Sequence, residues 1–309
     1  MADILTIGEI VVEIMAKQIG QTFEETAEFV GPFASGAPAI FIDQVAKIGS
    51  SAGIISAIGN EGFGRLNLER LRQDGVDVSY IKVSHDLTTG VAFVTYKENG
   101  DRDFIFHLKS SAASLIGPDD VKKEDFERCK FFHIMGSSLF NESIRAAVKK
   151  AIELCKKTGT KISFDPNIRK ELLQDSEMKE FLGYVLDNCN IFLPGKEELE
   201  LLVDGEDDEA RVQRLLSKGV EYIVVKRGSK GCKAYSKETS FSLEPIKVVE
   251  VDPTGAGDCF AGTLISCLNK GYGFRQSTMF ANTAGALAVT KKGPMEGNSS
   301  LELAKEFVC

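Results

Sequence analysis

Apolar positions along the chain follow two rhythms that take turns. Residues 4–7 (ILTI) form a short, almost wholly apolar run that predicts a buried strand. Ala37, Ile40, Phe41, Val45 and Ile48 then fall at helical spacing and predict a helix over 37–48. A strand over 53–58 and a helix over 63–73 follow. The same alternation returns with strands at 131–135, 161–164, 190–193 and 222–225, a helix at about 141–157, and helices at 259–269, 275–290 and 301–308. Strand and helix in alternation predict a parallel sheet covered by helices. A short antiparallel stretch is expected over 241–251.

The rhythm breaks at 89–108, where VAFVTY and FIFHL flank Lys97-Glu98-Asn99-Gly100-Asp101. Two apolar runs around a turn-rich segment predict a β-hairpin. A second extended candidate covers 23–33, and its pairing with the hairpin would build a small β-sheet lid. No repeat, low-complexity tract or Gly/Pro/Ser-rich seam divides the chain. The expectation is therefore one domain over 1–309, with lid segments at about 10–34 and 89–110 inserted.

Composition narrows the function classes. A net charge of -8 gives no basic footprint for nucleic acid. The seven cysteines form no C-x-x-C pair, and with three histidines they make neither a zinc site nor a disulfide framework. The N-terminal stretch MADILTIGEI has no signal-peptide pattern, and no apolar run is long enough to span a bilayer. A cytoplasmic setting is expected, with neither membrane nor nucleic acid as partner.

The chemistry concentrates in Asp252-Pro253-Thr254-Gly255-Ala256-Gly257-Asp258-Cys259-Phe260, which enters an apolar helix. Gly255 and Gly257 permit a tight turn and a close backbone approach, and the N–H groups of a helix start face an anion. That is a phosphate cradle. Asp258 at its rim is placed to take a proton from an attacking hydroxyl while the backbone donors stabilise charge on a transferred phosphoryl group.

This segment closely resembles the D-x-T-G-A-G-D-x-F motif of the PfkB, or ribokinase-like, carbohydrate kinases. Further similarity runs through SGAPAIFIDQVAKIG at 35–49, IGNEGFGRLNLERLRQDGVD at 58–77, FDPNIR at 164–169 and LPGKEELELL at 193–202. The resemblance implies a doubly wound, mostly parallel α/β sheet with a β-sheet lid and Mg2+-ATP as phosphoryl donor. It also implies Asp258 as catalytic base and Gly255, Ala256 and Gly257 as anion hole.

Other positions take their expected roles from the same resemblance. Glu13 and the Gly36-Ala37 pair are expected at the sugar, joined by Arg169 of D-x-N-x-R and by Arg102 and Lys109 on or after the hairpin. Lys226, Gly228 and Gly231 match a nucleotide-side turn, and Asn282 a position near the adenine. Glu198 keeps the acid of an N-x-x-E motif associated with Mg2+. Two departures stand out: Ile40 replaces an asparagine that usually contacts sugar, and Gly195 replaces the amide of N-x-x-E, with Lys196 as a substitute.

The expected function is an ATP-dependent sugar kinase, nearest to kinases of ketohexoses such as tagatose or fructose, or of 2-keto-3-deoxygluconate. Lys109 stands where an acid-sugar kinase would place arginine, which favours the ketohexose. The alternatives are a catalytically silent sugar-binding relative and an adenosine-type nucleoside kinase. A dinucleotide oxidoreductase is opposed by Gly8-Glu9-Ile10-Val11-Val12, which lacks G-x-G-x-x-G. A monovalent cation is an optional activator, and a homodimer is expected because Val91–Val94 would otherwise expose an apolar sheet edge.

Overall fold

The computed structural model describes residues 2–99, 101–168 and 176–307. In chain order its strands are β1 (Ile4–Ile7), β2 (Val11–Ile19), β3 (Phe29–Ser35), β4 (Ala52–Gly59), β5 (Ile81–Ser84), β6 (Gly90–Tyr96), β7 (Arg102–His107), β8 (Phe131–Met135), β9 (Lys161–Asp165), β10 (Ile191–Phe192), β11 (Tyr222–Lys226), β12 (Cys232–Tyr235) and β13 (Ser240–Leu243). The helices are α1 (Ala37–Lys47), α2 (Gly62–Gln73), α3 (Lys123–Phe126), α4 (Glu142–Thr158), α5 (Ser176–Leu186), α6 (Lys196–Leu202), α7 (Asp208–Lys218), α8 (Ala256–Asn269), α9 (Phe274–Ala288) and α10 (Leu301–Glu306).

Nine strands make the main sheet in the order β13-β12-β11-β10-β9-β8-β1-β4-β5. It is parallel from β11 to β5 and turns antiparallel only at β12 and β13. Helices on both faces explain why β1, β4 and β8 are buried along their whole length. One face packs against α1, α8 and α9, the other against α4 to α7. The chain leaves β1 toward β4 on one side and returns to β8 on the other. The strand order therefore reverses at β1, and in such sheets the crevice beyond the carboxyl ends is where ligands bind.

The lid is a separate four-stranded sheet in the order β3-β2-β6-β7. The hairpin of β6 and β7 forms as expected, but the 23–33 segment does not pair with it. β2 lies between them, antiparallel to β3 and parallel to β6. The extended conformation begins only at Phe29, because Glu24 and Glu25 fold back on Thr22 in a polar turn. β6 is also paired on both sides, so Val91–Val94 is not the exposed edge on which the dimer expectation rested. Beyond Leu243 the expected antiparallel stretch ends, and only 240–243 is strand.

Packing of α1 on α8 sets the position of the cradle segment. Gly262 lets the helices approach, since a Cβ there would stand 2.6 Å from the Phe41 carbonyl oxygen. Behind this contact lies a charge network that runs from a buried carboxylate to the surface. Asp43 of α1 accepts from Asn298 Nδ2 at 2.5 Å, and Arg70, 4.0 Å from Asp43, bonds Asp74 and Glu296. Burial pushes the Asp43 carboxyl well above the usual carboxylate range, helped by Asp74 and opposed by Arg70. A raised folded-state pKa means that the native state holds the proton longer than the unfolded chain. Stability from this group is therefore present at low pH and is lost as pH rises above the ordinary carboxylate pKa. Asp43→Asn should accordingly raise the melting temperature more at pH 8 than at pH 5. Thermal melts of both proteins at the two pH values test this, and an equal difference at both would contradict it.

Candidate active site

A cavity of roughly 640 Å3 opens beyond the carboxyl ends of the strands, under the lid. The main sheet supplies Glu9 after β1, Asp165 at the end of β9 and Lys226 at the end of β11. The β3–α1 junction supplies Ser35, Gly36, Ala37 and Ile40. The lid contributes Ala92, Phe104 and Phe106 as apolar wall, with Lys97, Asp101, Arg102 and Asp103 near its tip. Residues 253–258 close the remaining side.

That last segment is shaped by a buried carboxylate. Asp252 accepts from the Thr254 N–H at 3.0 Å through one oxygen and from the Gly293 N–H at 2.9 Å through the other. The turn so formed delivers Gly255 in the left-handed conformation, at φ 82, as the N-cap of α8. α8 therefore starts at Ala256, three residues before the expected start at Cys259. Ala256, Gly257 and Asp258 lie in its first turn, where N–H groups have no acceptor within the helix. Asp258 is buried and acidic at the positive end of the helix dipole. A Cβ on Gly255 would stand 2.5 Å from the Pro294 carbonyl oxygen and 3.2 Å from Ile40 Cγ2. Ile40 thus packs beneath the turn, which is a structural use for the residue that replaces the expected asparagine.

The lid reaches down to this turn. Arg102 donates to Thr254 Oγ1 at 3.0 Å, and the Tyr96 hydroxyl donates to Asp252 at 3.4 Å. Burial, reinforced by the Asp252 and Glu13 charges, raises the Tyr96 pKa, so the phenol stays a donor. Across the cavity Glu13 is 4% exposed and accepts from Ser35 Oγ at 3.0 Å, which aims its carboxylate along the wall. Gly36, at φ 114, lies so close to the Glu9 carbonyl oxygen that a Cβ would meet it at 2.5 Å.

Lys226 and Asp165 form an ion pair on the cavity floor. Burial pushes the Asp165 carboxyl up, and the Lys226 charge beside it opposes the shift. Burial likewise works against the Lys226 charge, yet Asp165, Glu198 and Asp258 together hold its pKa above the usual value. Gly257 faces this ammonium: a Cβ there would stand 3.4 Å from Lys226 Nζ.

Of the residues singled out from sequence, Glu13, Gly36, Ala37, Arg102, Lys226, Gly255, Ala256, Gly257 and Asp258 all line this one cavity. Lys109 is exposed and does not line it. Gly228 and Gly231 form a turn between β11 and β12, and the lack of a Cβ at Gly231 serves contact with Leu243. Asn282 donates to the Glu244 carbonyl at 2.8 Å, tying α9 to the segment after β13. Glu198 accepts from the backbone N–H groups of Ile168 and Gly195, capping α6. Lys196 is directed away, toward Glu200. Arg169 lies outside the described residues. Glu9, Asp165, Ser35 and Tyr96 are the cavity or turn residues that motif reading passed over. Asp165 was within reach, as the first letter of D-x-N-x-R.

Among the described residues no group of three or more His, Cys, Asp or Glu side chains could hold a metal ion by itself. Asp165 and Glu198, which flank Lys226, are the carboxylates that fit Mg2+, an ion bound through one or two carboxylates, waters and substrate phosphates. No helix among these residues is long and apolar enough to cross a membrane. Substitution of Gly255 by Ala should destabilise the protein by about 1–2 kcal/mol, from the left-handed backbone alone, and should abolish any phosphoryl transfer. Denaturant titration and a kinase assay check both, and an active, equally stable variant would refute this use of the turn.

Comparison with known proteins agrees with the geometry. An Escherichia coli structure whose naming as a ribokinase II is provisional superposes with a TM-score of 0.96 at 47% identity, covering 100% of this chain and 99% of that one. The same named protein with ATP and Mg2+ bound gives 0.95. Probable fructokinase-2 of Arabidopsis thaliana is 32% identical, covering 94% of this chain and 91% of the relative. Fructokinase-1 of Zea mays is 31% identical, covering 94% and 92%. The family model for pfkB family carbohydrate kinases matches residues 1–301, and with the cradle, lid and switch-point cavity in place the chain belongs to that family.

Proposed function

We propose that the protein transfers the γ-phosphate of ATP to a hydroxyl of a ketohexose, with fructose the foremost candidate. One observation carries the reading: Asp258 and the first N–H groups of α8 open into the same cavity as a buried wall carboxylate, Glu13. Asp258 accepts the proton of the attacking hydroxyl, and the N–H groups of Ala256 and Gly257 take the charge that builds on the phosphoryl oxygens. Glu13, held by Ser35, and the backbone of Gly36 and Ala37 orient the sugar. Phe104 and Phe106 of the lid exclude water, which limits hydrolysis of ATP.

Similarity to curated fructokinases supports the ketohexose. The cavity supports it as well. Glu9, Glu13, Asp101, Asp103, Asp165 and Asp258 give its lining an excess of carboxylates, Lys109 is absent from it, and Arg102 is engaged with Thr254. A neutral polyol suits such a lining better than a carboxylated sugar.

Mg2+ bound with ATP would be served by Asp165 and Glu198 and supplies charge neutralisation of the triphosphate. The 289–298 loop beside Asp252 is where a monovalent cation would act on the turn, since Gly293 and Val289 of that loop already bond its backbone and carboxylate. Homodimerisation is read onto the outer face of the lid. There Phe93 lies opposite Ile105 in the β6–β7 ladder, and Phe23, Phe29 and His107 join it in ring contacts.

ADP release with Mg2+-ATP across fructose, tagatose, ribose, 2-keto-3-deoxygluconate and adenosine tests the substrate. Activity should be highest on a ketohexose. Asp258→Asn should lower turnover by about 100-fold or more while ATP still binds, because it removes the base and keeps the shape. Preference for ribose or the acid sugar would overturn the ketohexose, and near-native turnover of the variant would overturn Asp258 as base.

A further inference from the structure

A largely buried ammonium needs a reason, because withdrawing it from water is costly unless it is paired. Lys226 is paired with Asp165, but its position exceeds what a structural ion pair requires. It is the last residue of β11 and lines the cavity with Asp258. Its Nζ lies 3.4 Å from the point where Gly257 would carry a Cβ, against the face of the cradle. An ammonium has three N–H donors, and among the described residues Asp165 is the acceptor seen for them. The other cations of the cavity are committed elsewhere: Arg102 donates to Thr254, and Lys97 pairs with Asp103 at 2.8 Å.

The neighbouring strand strengthens the case. Gly195 and Lys226 form a parallel bridge, and the Lys226 N–H donates to the Pro194 carbonyl at 2.8 Å. Gly195, three residues beyond β10, carries no side chain, and the residue bridged to it carries the cation that lines the cavity.

Resting on the kinase reading above, we infer that Lys226 is a catalytic residue that donates to the oxygens of the transferring phosphoryl group. In that step the sugar oxygen forms a bond to the γ-phosphorus as the bond from phosphorus to the β–γ bridging oxygen breaks. The electron pair leaves with ADP, the hydroxyl proton passes to Asp258, and Lys226 keeps its own protons throughout. Charge in such a transition state spreads over three equatorial oxygens. A compact ammonium beside the α8 N–H groups is placed to meet that charge.

The test compares native protein, Lys226→Met and Lys226→Arg. It uses steady-state kinetics on the sugar the native protein phosphorylates, and calorimetry with ADP and with ADP–aluminium fluoride, each with Mg2+ and that sugar. Lys226→Met should lower kcat about 100- to 1,000-fold, as loss of one oxyanion donor does, with the KM for sugar little changed. It should bind ADP nearly as well as native protein but lose the tighter binding of ADP–aluminium fluoride, and Lys226→Arg should recover part of both. If Lys226→Met does not fold, Lys226→Met/Asp165→Asn removes both charges and is compared with Asp165→Asn alone. A native kcat in the Met variant, or equal weakening of ADP and ADP–aluminium fluoride, would overturn the inference while leaving the kinase intact. A native protein inactive on every sugar would overturn the kinase reading and this inference with it.

Discussion

The architecture of the site hangs on one buried carboxylate. Asp252 spends one oxygen on Thr254 of its own turn and the other on Gly293 of a loop about forty residues later, binding two distant segments into a single rigid corner. A carboxylate accepting backbone N–H bonds in a dry environment makes charge-assisted bonds roughly twice as strong as neutral ones. The corner holds Gly255 in the left-handed region and so fixes where α8 begins. Had the helix begun at Cys259, Asp258 would lie outside it. Starting at Ala256, it places the acid and the N–H donors on the same turn.

Charge around the cavity is arranged in the same economical way. The carboxylates that line it would repel a triphosphate if nothing offset them. Lys226 does so from the floor, and Asp165 in turn makes the burial of Lys226 tolerable. Each member of the pair is stabilised by the other, and burial alone would neutralise both. The α8 dipole adds positive potential without a side chain. Positive potential is thereby concentrated at the cradle, while the wall around Glu13 keeps its acidic character.

Much of this was legible in sequence because parallel sheets covered on both faces write themselves as apolar runs. ILTI at β1 and FFHIM at β8 are buried throughout, and both were read correctly. The first lid strand, VVEIMAKQI, falls inside the expected lid segment at about 10–34 but is not legible as a strand, because Glu13 and Lys17 break its apolar run. Its alternation is irregular because a bulge shifts the register between Glu13 and Met15. β5 and β12, four residues each, are too short for periodicity to register, and α5 to α7 go unassigned, α6 although it lies within LPGKEELELL. In the site, the D-x-T-G-A-G-D segment marked a turn into a helix start, which the structure shows beginning at Ala256. The pairing of Lys226 with Asp165 did not show, because it joins strand ends that only the sheet order brings together. Lys109 misled because its nearness to the hairpin in sequence does not make it face inward.

The connections of the lid bear on how such a cavity could close. β2 follows β1 after three residues, and β3 runs directly into α1, so the lid is not hung on flexible linkers. Glu13 on β2 and Gly36 just after β3 therefore share the backbone of the lid, and movement of that sheet carries both with it. The hairpin of β6 and β7 adds Tyr96 and Arg102, which bond Asp252 and Thr254 of the corner itself. Lid position and cradle geometry are thus joined through two hydrogen bonds as well as through the chain. Opening the lid would strip this corner of two side-chain donors, the Tyr96 hydroxyl on Asp252 and the Arg102 guanidinium on Thr254, so the turn that starts α8 and the position of the lid are held together.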